Sequence, residues 1–452
     1  MFHGLPAVTA SRHFHCFHFM HPRHSIFLLF PIFLASCATD DPSGMLGGSP
    51  DFGQSKFPSN FASAPVLQGS VGREQAIRHA LTYSPSLQSQ RAELRALEAE
   101  IVQAGLPPNP ELGFDVENFA GNGGSRGFNG AEITAALSQK LELGGKRSKR
   151  SLVAALEAEA LRAEIASDER EIRIATDRAF TTLLEARQVR EFSEQNLARA
   201  EENRGTLDAL LEAGKSTRID VGKATLAVSE AKELLAESRS AESNAAAELS
   251  QTWGGGAADV TAAGSLSAPG GSVPSNPEAA IKRHPAMRAA ALRFARAQAT
   301  YDLEKAKRYS DVEVGGGVRQ LRDADETAAV VGVRVPLPIF DRNQGNIQAA
   351  KERLDRANAE GRSTESELRT RLARLSADLR AARSRASEFD SRTINAARQG
   401  LDDTREAYSA GKASLLEVLD ARETLFEVER GQARALADLL RAHNSLKTLT
   451  TN

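Results

Sequence analysis

Gly214-Lys215-Ser216 has the make-up of the end of a phosphate-binding loop, in which backbone N–H groups cradle phosphates and the lysine reaches them. That loop needs a glycine at 209 and a strand before it. The residue is Ala209, and the segment leading to it has helical periodicity, which argues against nucleotide binding. His13, His15, His18, His21 and His24 have the density of a metal site, but they fall in a stretch with the marks of a removable leader. His79, His284 and His443 remain, too dispersed to share a metal, and no Ser/His/Asp arrangement stands out. Two cysteines, Cys16 and Cys37, exclude a disulfide scaffold and a Cys-built zinc site. The expectation is a chain with no cofactor, no metal site and no enzymatic activity.

Residues 1–36 carry two arginines, six histidines and no acid, then the apolar run Ile26 to Leu34 and the small residues Ala35-Ser36. A basic start, a short apolar stretch and small residues before a cut site make a secretory signal, too short to span a membrane. Leu34-Ala35-Ser36-Cys37 looks like a bacterial lipobox, in which Cys37 is lipidated and becomes the new N-terminus. Simple cleavage leaving a free Cys37 is the other outcome. Ala38 follows the cysteine where Asp would signal retention in the inner membrane, so the motif favours the outer membrane. One acylated cysteine is a tether, each buried methylene adding roughly 0.8 kcal/mol. Met20 is a second possible start, since 20–36 is a sufficient signal.

The whole chain has 452 residues, with 57 Lys or Arg against 59 Asp or Glu and a formal charge of -2. Removing Arg12 and Arg23 with the leader leaves 55 against 59, a charge of -4. Near-neutral charge argues against nucleic acid as a partner. After the leader no run of about 20 apolar residues exists, which excludes a polytopic helical membrane protein. Aromatics are only 5% of the chain, as long Ala-rich helices would explain.

Beyond a Gly/Ser/Pro-rich linker over 37–70, the chain repeats itself at an offset of about 200. Ala76-Ile77-Arg78-His79 echoes Ala280-Ile281-Lys282-Arg283, and Pro85 echoes Pro285. Ala213-Gly214-Lys215-Ser216-Thr217 echoes Ala410-Gly411-Lys412-Ala413-Ser414. The first repeat spans 71–252, a linker 253–276, and the second repeat 277–452. Each opens with a helix, over 72–104 and 277–308. Each then alternates with period two: Leu112, Phe114 and Val116 oppose Glu111, Asp115 and Glu117, and Ile133, Ala135 and Leu137 oppose Glu132, Thr134 and Ser138. Val312, Val314 and Val318, then Val331, Val333 and Val335, continue the pattern. These are hairpins over about 110–143 and 311–338, with strands of about 9–11 residues, the length a tilted strand needs to cross a bilayer.

Proline is absent from 111–268 and from 339–452. The spacing predicts uninterrupted helices over 146–213 and 343–410, each roughly 100 Å at 1.5 Å per residue. Gly214 and Gly411 end them, and shorter return helices follow over 218–252 and 415–450. The fold class is mainly α with membrane β: a long helical barrel and four transmembrane strands per protomer, with an internal two-fold repeat. Four strands cannot close a barrel, and open edges cannot be left in lipid, so the barrel must be shared between subunits.

This architecture resembles the TolC-like outer membrane factor family over nearly the whole mature chain. The resemblance implies a homotrimer with a shared twelve-stranded barrel and a helical tunnel reaching into the periplasm. Asn109-Pro110-Glu111-Leu112, Val116-Glu117-Asn118-Phe119, Leu137 to Arg147 and Val335 to Gly345 resemble one branch, the outer-membrane channels of cobalt-zinc-cadmium cation efflux systems. Physically the last two segments mark where a strand leaves the membrane and a helix begins, with a Lys/Arg cluster placed to meet headgroups.

The resemblance also assigns roles. Tips around Gly214, Lys215, Gly411 and Lys412 dock a periplasmic adaptor (membrane fusion) protein, which joins an inner-membrane resistance-nodulation-division (RND) pump. Glu417 and Asp420 fall on two inward-facing gate acids; three residues apart, they share one helix face. In a trimer six carboxylates would ring the axis and attract cations. Tyr408 and Asp220 fall on a latch pair, while the family's latch arginine is Ala413 here. The bland reading of these acids is solvated helix-surface charge. The function expected is export of divalent heavy-metal cations. Alternatives are the same channel for organic compounds or a secreted protein, and a non-conducting tether between envelope layers.

Overall fold

A computed structural model describes residue 65 and residues 67–255, 260–270 and 277–451. The signal sequence and Cys37 lie outside the described residues, as do most of the 37–70 linker and part of the 253–276 linker. All described residues belong to one unit, 59–452.

Helix runs wherever alanine-rich, proline-free sequence allows it. The first repeat holds β1 (Gly69–Val71), α1 (Arg73–Tyr83), α2 (Pro85–Gly105), β2 (Glu111–Glu117), β3 (Glu132–Leu141), α3 (Lys146–Glu212) and α4 (Arg218–Gln251). After β4 (Val260–Ala262) the second repeat holds α5 (Pro277–Arg283), α6 (Pro285–Lys307), β5 (Val312–Leu321), β6 (Glu326–Arg334), α7 (Gln344–Glu388), α8 (Ser391–Ser409) and α9 (Leu415–Thr450). At 67 residues, α3 is a single rod of roughly 100 Å. No helix among the described residues is long and apolar enough to cross a membrane.

Three expected helices are broken. Those over 72–104 and 277–308 stop at Ser84 and His284, each driven to extended ψ (122° and 136°) by the proline that follows. The rod expected over 343–410 is two helices, α7 and α8. No proline causes that break. Asp390 instead caps α8, accepting from the N–H groups of Arg392 and Thr393. The Phe389 ring lies against α9 at Gly431, where a Cβ would sit 2.4 Å from ring carbon Cε1.

His284 caps α6, its Nδ1 accepting from the Ala286 N–H at 3.2 Å, and it is buried. Burial first, then the nearby Arg170 charge, depress its pKa from 6.5 to about 4. The unfolded chain takes up a proton near pH 6.5 that the folded chain refuses until about pH 4. Stability is therefore full above pH 6.5 and falls by about 3 kcal/mol on acidification towards pH 4. Denaturant titrations at pH 7 and pH 4.5 should show this, and His284→Gln should flatten the dependence.

The two larger core clusters lie one in each half of the chain, the first taking in the linker strand β4. β1 and β4 pair in parallel, and Val71, Val260 and Ala262 pack with Phe180 and Leu183 of α3, Leu249 of α4, and Trp253. A second cluster joins Ile281 of α5 to Leu368, Leu372, Leu375 and Leu379 of α7 and Leu439, Leu446 and Leu449 of α9.

The four longer strands form one antiparallel sheet in the order β2-β3-β5-β6, so the two hairpins join through β3 and β5. Its register sorts the side chains by chemistry. Glu111, Asp115, Glu117, Glu132, Lys140, Glu313, Arg319, Glu326 and Arg334, every ionisable residue of these strands, share one face. The other face carries Leu112, Phe114, Val116, Ile133, Leu137, Val314, Val318, Val331 and Val333 with no charge. On the charged face Arg319 donates to Thr134 (2.9 Å) and Glu132 (2.8 Å), tying the repeats together. β2 is seven residues, shorter than expected; the chain turns at Asn118 and Ala120, both at positive φ, where the rings of Phe119 and Phe128 stack.

Candidate functional site

Both helical tips are built to one plan. α3 ends in a Schellman motif: Gly214, at φ +69°, donates to the Leu211 carbonyl at 2.9 Å and Lys215 to Leu210 at 2.8 Å. α8 ends identically, with Gly411 at φ +71° donating to Tyr408 and Lys412 to Ala407 at the same distances. Each return helix then starts with a capping box, Thr217 with Asp220 and Ser414 with Glu417. Lys215 and Lys412 stand exposed at the two ends.

These boxes give two of the candidate acids a local duty. The Glu417 carboxylate accepts from the Ser414 N–H (2.6 Å) and hydroxyl (2.9 Å), which hold its pKa below the usual range. Asp220 accepts from the Thr217 hydroxyl at 2.6 Å and its N–H at 3.3 Å. Tyr408 packs with Leu207, Leu210, Val221, Ala224 and Leu415, bringing the first-repeat tip against the second. Burial, then the Asp220 charge, raise the Tyr408 phenol above its ordinary value. The two expected latch residues are thus brought near one another within one chain. Asp420 differs from Glu417: exposed, it lines an open groove of about 1100 Å³ with Glu423 and Glu427 beyond it on α9.

The joint between sheet and helices is a second constellation. The expectation of a Lys/Arg cluster facing headgroups needs correction at Lys146. Lys146 is buried, donating to the Tyr309 carbonyl and to Asp311 Oδ1, both at 2.5 Å. Arg150 turns to Glu142 (2.6 and 3.2 Å) and to the carbonyls of Ala104 and Leu106. Arg147 stays exposed. Burial pushes the Asp311 carboxyl up, but Lys146, the Leu143 N–H and Lys140 outweigh it and the pKa falls. In the second repeat Asn343, at φ +60°, donates its amide to the Glu304 carbonyl and carboxylate. The capping boxes were legible as Ser/Thr-x-x-Asp/Glu spacing; the Lys146–Asp311 pair, 165 residues apart, left no local signal.

Each half of the chain thus runs through helices, a hairpin, a long helical stretch and a return helix, around a sheet charged on one face only, and its sequence pattern puts the chain in the class of outer-membrane efflux proteins. The sequence pattern of that family, "Outer membrane efflux protein", matches residues 76–255 and 276–452, and the chain belongs to it. The chain is 29% identical over 385 residues to the cobalt-zinc-cadmium resistance protein CzcC of Cupriavidus metallidurans, covering 84% of this chain and 90% of that one. It is 31% identical over 306 residues to the nickel and cobalt resistance protein CnrC of the same organism, covering 67% and 71%. The fold is similar to that of a membrane protein from Pseudomonas aeruginosa solved by crystallography, with a TM-score of 0.71 at 19% identity over 84% of this chain and 93% of that one.

Proposed function

We propose that this chain is the outer-membrane duct of a tripartite efflux system exporting divalent heavy-metal cations. The observation that carries the duct is the four-stranded sheet at the end of the roughly 100 Å rod α3, charged on one face, uncharged and mainly apolar on the other, and open at both edges. Lipid tolerates the apolar face but not an unpaired edge, and water suits the charged face. Joining β2 of one copy to β6 of the next satisfies both edges; three copies give twelve strands around a water-filled bore. The charged face has six acids against three bases, so the bore favours cations. The metal cargo is supported by likeness to relatives named for cobalt, zinc, cadmium and nickel resistance.

In this reading Cys37 carries the lipid that anchors the chain to the outer membrane. The tips at Gly214, Lys215, Gly411 and Lys412 meet a periplasmic adaptor, an RND pump supplies the energy, and Glu417 and Asp420 select cations where the tube narrows. Tyr408 and Asp220 latch the closed tips. Cations pass as cargo along a charged conduit. The test is metal sensitivity of a deletion strain. Loss of zinc, cobalt or cadmium tolerance, restored by wild type and restored less by Cys37→Ala, supports the reading. A deletion strain with unchanged metal tolerance but new sensitivity to organic compounds would change the cargo. Purified protein without conductance in planar bilayers would leave only a tether.

A further inference from the structure

We infer that Glu429 is a positioning residue pinning the tip arm of the second repeat to the first, and that Phe389–Asp390 is the hinge on which that arm swings when the pin is released. The inference rests on the channel reading. It begins with an asymmetry: α3 runs unbroken from Lys146 to Glu212, whereas its counterpart breaks at Phe389–Asp390, leaving α8 as a separate helix of 19 residues. The joint is built rather than frayed. Asp390 satisfies two N–H groups at the start of α8, and the Phe389 carbonyl accepts from the Gln432 side chain at 3.3 Å. The Phe389 ring occupies the space that a side chain at 431 would fill. Beside it runs the open groove lined by Phe389, Gly431, Glu427 and Asp420, which leaves the ring and the arm room to move.

Glu429 lies on α9 two residues before Gly431 and is fully buried. Its carboxylate holds one arginine from each repeat: Arg398 of α8 donates to Oε1 at 3.3 Å and Arg199 of α3 to Oε2 at 3.4 Å. Both contacts are longer than the usual 2.7–2.9 Å of a charge-assisted bond and each is single. A buried carboxylate strongly resists losing both partners, yet contacts of this length yield to a modest displacement. The arrangement is a clamp across α3, α8 and α9 placed beside a hinge. Asp420 and Glu417 lie nine and twelve residues from Glu429 on α9, about 14 and 18 Å at 1.5 Å per residue. Rotation at the hinge therefore moves α8 away from α3, and through the turn at Gly411 it pulls on the start of α9, where the candidate gate acids lie.

The experiment is planar-bilayer current through the full-length protein, comparing wild type with Glu429→Gln, Arg398→Gln and Arg398→Lys. Loss of the clamp charge should raise mean current about threefold or more in both Gln variants, by shifting the population toward the swung arm. Arg398→Lys, which keeps the charge, should stay near wild type, as a role in packing alone would not require. Currents from both Gln variants equal to or below a measurable wild-type current overturn the clamp while leaving the channel intact. No current from any of the four proteins overturns the channel reading itself, and the inference with it. If Glu429→Gln does not assemble, Arg398→Gln decides alone, its side chain being about half exposed.

Discussion

Replacing Glu417 by Gln and Asp420 by Asn together is expected to lower the cation-to-anion permeability ratio by about an order of magnitude, because in the trimeric duct proposed above six charges would leave the axis. The structure dictates the choice of substituents. Alanine at 417 would also remove an N-terminal cap of α9, at a cost of about 1 kcal/mol, and confuse lost charge with a loosened tip. Glutamine can still answer the Ser414 N–H, since capping boxes accept Gln as well as Glu. Asp420→Asn alone should account for more of the change than Glu417→Gln alone, because Asp420 faces open space while Glu417 is folded back on Ser414. Reversal potentials across a salt gradient measure the ratio. The contrast should shrink near 1 M salt, where screening acts over about 3 Å. A double variant within twofold of wild type at low salt would show that selection resides elsewhere in the tube.

Lys146→Met should destabilise the protein by about 3 kcal/mol, because it strands Asp311 beside β5 with its main partner gone. Lys146 also ties α3 to the Tyr309 carbonyl, so one side chain joins the first-repeat rod to the start of the second hairpin. The loss should appear as a lower unfolding midpoint in detergent and a smaller oligomer fraction on unheated gels. Adding Asp311→Leu should recover much of it, since the cost lies in a half-buried carboxylate left short of partners more than in the pair itself. A single variant melting like wild type would mean that Lys140, 3.4 Å from Asp311, takes over.

The long elements were legible in the sequence because each rests on a local rule: proline-free alanine-rich stretches for the rods, period-two alternation for the hairpins, glycine at positive φ for the stops at 214 and 411. The breaks at Ser84 and His284 were also written locally, in the prolines that follow them. The break at Phe389–Asp390 was not, since it depends on Gly431 lying across from it. The gate acids came from resemblance to a family rather than from a local rule, and at Glu417 the capping duty competes with the pore duty proposed for it. Glu429 and Lys146 stayed hidden because burial is decided by helices that meet only in the folded chain.

The seam between β3 and β5 bears on biogenesis. The chain between them, from Leu141 to Val312, is about 170 residues, so the earlier hairpin has no neighbour until most of the protein has been made. A partly made chain must keep an apolar ribbon out of contact with others like it throughout that interval. The slow step is then the late closure of that seam, set by the length of chain between its two strands.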